Sequence, residues 1–190
     1  MISAVSLWMS RAGGAMLLLA AVLISFEILT RKLLHLPFNV GTELSTYALA
    51  VGATWSFAYA LLQRAHVRID VLQKLLPPAV RSALDLAAML SLATVALVLA
   101  WHIAGTLATS ISLGARENTP LATPLALPQG LWLVGMIWFA LVAVEQSVRV
   151  LLAFAAGDHA GVARLSAAAG VEEELDEALD DVARRLGRTG

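Results

Sequence analysis

Apolar and polar positions alternate along this chain on a long scale. Four mostly apolar runs, at about 8–34, 43–62, 82–113 and 128–156, are separated by short polar stretches. A bilayer-crossing helix needs about 20 mostly apolar residues, and every run reaches that length. Lipid offers a backbone no hydrogen-bond partners, so each run is expected to be helical. The pattern predicts an all-α integral membrane domain over residues 1–156, with four transmembrane helices. Residues 1–26 have the outline of a secretory leader, with Arg11 ahead of the apolar run. No small-residue cleavage site follows, so they read as an uncleaved first span.

Composition supports the same class. Hydrophobic residues make up 59% of the 190 and charged residues only 14%. A soluble domain carries about 25% charged residues. The chain has no cysteine, which excludes disulfides, thiol catalysis and thiolate metal sites.

Basic residues set the expected orientation, because they collect on the cytoplasmic side of spans. Arg11, Arg64, Arg68, Lys74, Arg81, Arg149 and Arg164 fall on one side; Arg31, Lys32 and Arg116 fall on the other. Both termini are therefore expected in the cytoplasm. The third run would measure about 45–50 Å as a helix, so it must tilt or project from the bilayer. Gly114 reads as its stop. Pro120, Pro124 and Pro128 follow at intervals of four and favour extended backbone. Pro128 suits the first turn of the fourth span.

Between spans two and three, Val67, Val71, Leu72 and Leu75 fit one helical face, and Asp70 and Lys74 form an i,i+4 pair. This predicts a short amphipathic helix lying in the interface, ended by Pro77 and Pro78. Residues 157–170 read as an Ala/Gly-rich linker. Residues 171–190 read as an acidic, amphipathic, cytoplasmic helical tail. Its Val171, Leu175, Leu179, Val182 and Leu186 form a stripe, and it holds seven of the chain's fourteen acidic residues. The tail is either solvated or docked on a partner's cytoplasmic face.

Ionisable residues at membrane depth are functional candidates. Glu27 has Arg31 four residues on, and Glu145 has Arg149. Each reads as a local ion pair or as a link to another helix. His102 reads as a packing residue, since neither His35 nor His66 makes a convincing axial haem pair with it. Zinc-type His-Glu-x-x-His, G-x-S-x-G and phosphate-cradling glycine loops are missing. No catalytic, cofactor or metal residues are expected, and the chain does not read as an enzyme. Small residues recur every four positions on span two (Ala48, Gly52, Ser56, Ala60) and on span three (Ala100, Ala104, Ala108, Ser112). Such faces serve close packing, inside the bundle or against a second membrane subunit.

Several local motifs carry a resemblance. Glu43-x-x-x-Tyr47 opens span two, and His66-Val-Arg68-Ile-Asp70-Val-Leu72 follows it. Pro77 and Arg81 close that loop, and Thr123-Pro-Leu-Ala-Leu-Pro128 leads into span four. Over about residues 10–154 the chain resembles the small, DctQ-type membrane subunit of tripartite ATP-independent periplasmic (TRAP) transporters. The resemblance implies a multi-pass protein of the bacterial inner membrane. Its implied role is a non-catalytic scaffold for a large permease subunit, which takes up organic acids delivered by a periplasmic binding protein. Coupling sodium would sit on the large subunit. Glu43, Tyr47, His66, Arg68, Asp70 and Arg81 become interface residues on this reading. Readings of other classes are a membrane anchor for a haem- or quinone-linked redox complex and a stand-alone carrier.

Overall fold

A computed structural model describes residues 1–34, 40–63, 76–119 and 121–166. The expected interfacial helix and the acidic tail lie outside the described residues. Regular structure among those described is helical: α1 (Ile2–Leu34), α2 (Gly41–Leu62), α3 (Pro78–Leu113), α4 (Ala126–Ala155) and α5 (His159–Ser166). Of these, α1, α3 and α4 are long and apolar enough to cross a membrane. Helix α2 spans 22 residues, about 33 Å, but Glu43, Thr46, Tyr47, Thr54 and Ser56 make it more polar than the other three.

The helix ends follow local chemistry. Pro77 (ψ 147°) precedes α3, and Pro78 occupies its first turn, where a missing N–H costs nothing. Gly114 closes α3 in the left-handed region at φ 58°, which its missing Cβ permits. Pro128 falls within the first turn of α4. The loop after α3 does not run on extended, as its prolines suggested. It folds back on itself, with Glu117 N–H donating to Thr123 O at 3.0 Å and Leu125 N–H to Ala115 O at 3.0 Å.

The stretch expected to be a linker contains α5. Gly157 (φ 71°) ends α4, and Asp158 caps the new helix by accepting from Gly161 N–H at 2.7 Å. Val162 is fully buried, which fixes α5 against α3 and α4. Alanine and glycine content suggested a linker, whereas the Gly-Asp stop-and-start pair decides the local structure.

Contacts join α1 to α2, α2 to α4, and α4 to α3. Helices α2 and α4 thus lie between α1 and α3. The core forms where α3 and α4 face each other, around Met89, Ala93, Ala96, Met136, Ala140 and Ala143. Phe57 of α2 meets Phe139 of α4 edge-on, with ring centroids 5.5 Å apart. Hydrogen bonds stitch the row together. Trp55 Nε1 donates to Leu131 O at 2.9 Å, and Trp138 Nε1 donates to Ser6 Oγ at 3.0 Å. Ser147 Oγ lies 2.9 Å from Met89 O.

The small-residue faces separate into two cases. On α2, Ala48 and Gly52 are buried, while Ser56 and Ala60 are half-buried. On α3, Ala104, Ala108 and Ser112 are exposed and only Ala100 is half-buried. The buried stripe of α3 runs instead through Ser82, Asp85, Met89, Ala93, Ala96, Ile103 and Ser110.

Helices α1 and α2 approach most closely at Gly13 and Gly52. A Cβ on Gly13 would sit 2.7 Å from Gly52 O, and one on Gly52 would sit 2.9 Å from Gly13 O. Both obstacles are backbone and cannot rotate away. Gly13→Ala and Gly52→Ala should therefore each destabilise the fold by about 1–3 kcal/mol through overpacking. Gly105→Ala meets open space and should hold or raise stability. Thermal unfolding in detergent, followed by circular dichroism, checks this. Melting of both crossing variants at or above wild type would contradict it.

Candidate functional site: a carboxylate knot at one end of the bundle

Where α2 begins, two carboxylates hold the chain together. The residue before α2, Val40, makes no side-chain cap. Glu27 of α1 supplies the cap, its Oε2 accepting from Gly41 N–H. The local pair expected between Glu27 and Arg31 is not among the ion pairs of the described residues. The carboxylate is better placed against the positive end of α2. Gly41 has no Cβ to block this approach.

Glu43 sits in the first turn of α2 and is only 5% exposed. Tyr47, four residues on, donates its hydroxyl to Glu43 Oε1 at 2.9 Å. The Thr119 hydroxyl donates to Oε2 from the loop after α3, and Thr123 of the same loop faces this carboxylate. Glu43 and Tyr47, read from the sequence only as interface residues, are thus brought together and joined to the loop. The i,i+4 spacing of Glu43 and Tyr47 permits their contact, whereas Thr119 is 76 positions away. Charge-assisted hydrogen bonds are the strong kind, so Glu43 anchors the loop onto α2.

At the opposite end, Ser82 Oγ lies 3.1 Å from His159 Nδ1, which latches α5 to the first turns of α3. Arg81 lies beside this latch, and its Nε is buried with no hydrogen-bond partner among the described residues. Asp85, unmarked in the sequence reading, is 1% exposed and has an interaction of its own. Its signal was an acidic residue inside an otherwise apolar run. Glu145 pairs with Arg149 on α4. His66, Arg68 and Asp70 lie outside the described residues.

His102 is exposed rather than packed, on a shallow groove with Trp101, Gly105, Thr106 and Thr109. Among the described residues no group of three or more His, Asp or Glu is placed to hold a metal ion. The geometry of the Glu43 knot is that of a tie. Its oxygens accept from the hydroxyls of Tyr47 and Thr119.

Removing the charge of Glu43 should free the loop. Hydrogen bonds to a charged group contribute about 1.5–3 kcal/mol. Glu43→Gln should therefore speed amide exchange across residues 115–125 by roughly ten-fold or more. Tyr47→Phe, which removes one donor, should have a smaller effect. Hydrogen–deuterium exchange with mass spectrometry reads both, and unchanged exchange in Glu43→Gln would refute the tie.

Among proteins of curated function, none matches this chain. The family of tripartite ATP-independent periplasmic transporters, DctQ component, matches residues 20–153, well over half of the sequence. That match covers all of α2 and α3 and nearly all of α4, including Glu43, Tyr47, Thr119 and Arg81. The chain belongs to the DctQ component family of these transporters.

Proposed function

We propose that this chain is the small, non-catalytic membrane subunit that braces a large TRAP permease subunit. It stands in a bacterial inner membrane with four spans and both termini in the cytoplasm. Helix α2 is the second of these four spans. The hydroxyls of the knot satisfy the Glu43 carboxylate in its outer turn, and close packing on α1 and α4 shields its middle. The large subunit carries sodium and an organic acid delivered by a periplasmic binding protein.

The observation that carries this reading is the family match together with the helices' free faces. Large apolar side chains of α1, among them Leu18, Leu19, Val22 and Phe26, are exposed along its length. The exposed Ala104 and Ala108 of α3 offer a close-packing face that this fold does not use. Helix association in lipid is driven by such packing. On this reading the Glu43–Thr119 tie shapes the periplasmic loop. Arg81, with His66, Arg68 and Asp70, marks the cytoplasmic contact region.

Reconstitution tests the assignment. Proteoliposomes holding this chain alone should take up no organic acid above empty vesicles. Uptake should require the large subunit and the binding protein as well. Sodium-driven uptake by this chain alone would overturn the scaffold role. A Soret band in the purified protein would instead favour the redox-anchor reading.

A further inference from the structure

At the end of the bundle where α3 begins, a cavity of about 310 Å³ opens between α3 and α5, lined by Leu76, Pro78, Arg81, Ser82, His159 and Ala163. We propose that it binds the phosphate of an anionic phospholipid.

Two features of the cavity favour an anion. The Nε of Arg81 is buried and lacks a hydrogen-bond partner among the described residues. Buried donors are normally satisfied, and a guanidinium suits phosphate oxygens in particular. The Ser82 hydroxyl donates to Pro78 O at 2.9 Å. The same oxygen lies 3.1 Å from His159 Nδ1, which ties α5 to this wall of the cavity. The cavity also lies at the start of a 36-residue helix whose first turn holds no acidic residue. That helix end carries partial positive charge. Asp85 lies one turn further in and has its own interaction.

The remaining walls distinguish a lipid from a free phosphate ion. Leu76, Pro78 and Ala163 are apolar, and Val80 and Leu84 are exposed on the same turns of α3. Acyl chains have apolar surface to follow from there. The site lies at the end of a membrane-length helix, where headgroups gather. Basic pockets at such positions hold anionic headgroups. The inference needs the membrane reading of these helices but no large subunit, so the chain alone can test it.

The test is native mass spectrometry of the full-length chain, released from detergent after incubation with phosphatidylglycerol or with phosphatidylcholine of the same acyl chains. Wild type should retain the anionic lipid in preference to the zwitterionic one. Arg81→Gln should lower that retention roughly five-fold, as expected for one basic contact. Arg149→Gln, which removes an exposed arginine already paired with Glu145, should leave it unchanged. Millimolar inorganic phosphate should not displace the lipid. If Arg81→Gln loses helical content, Ala163→Leu decides instead, because it fills the cavity without changing charge and should also lose the lipid. Undiminished retention in the deciding variant, an equal loss in Arg149→Gln, or displacement by inorganic phosphate would each overturn the proposal.

Discussion

A polar group on a helix in lipid must find its partner inside the protein, since the solvent offers none. Much of this structure answers that demand. Trp55 and Trp138 place their indole N–H groups on neighbouring helices, and Ser147 reaches a carbonyl of α3. Serine and threonine hydroxyls along α1, α2 and α3 turn back onto the carbonyl three or four residues earlier. The acidic side chains follow the same logic with larger consequences. Glu27 caps a helix that has no cap of its own, and Glu43 gathers hydroxyls from its own helix and from a distant loop.

Close approach supplies the rest of the cohesion. In lipid the apolar effect gives helices little reason to associate, so contact must come from shape. Gly13 against Gly52 brings α1 onto α2, and Gly135 lets Thr54 and Trp55 of α2 approach α4. On α3 the alanine stripe points away from these contacts. The row therefore leaves broad apolar and small-residue faces uncovered.

The apolar runs announce α1, α3 and α4, because lipid leaves a long greasy segment no other structure. The helix stop at Gly114 is equally local and equally readable, whereas Pro78, read as the end of the preceding segment, opens α3. What the sequence hid is tertiary. The spacing of Glu27 and Arg31 suggests an i,i+4 pair, yet the exposed helix start at Gly41 is the stronger attraction for that carboxylate. Alanine spacing is the same on α2 and α3, and only the neighbours decide which stripe is buried. Helix α5 was masked by its composition, although Gly157-Asp158 carried the signal. In the candidate site, Tyr47 was within reach of helical periodicity, whereas Thr119 required the loop's fold.

On the proposed reading the chain holds still while the large subunit moves, and the absence of native cysteines makes that directly measurable. Spin labels would be attached at Leu49→Cys on α2 and Leu152→Cys on α4, both exposed and outside the faces assigned to the partner, in the assembled transporter. The distance between them would be read by pulsed electron resonance with and without sodium and substrate. The account predicts a single distance distribution that does not shift. A change of about one helical turn, roughly 5 Å, between these conditions would contradict it.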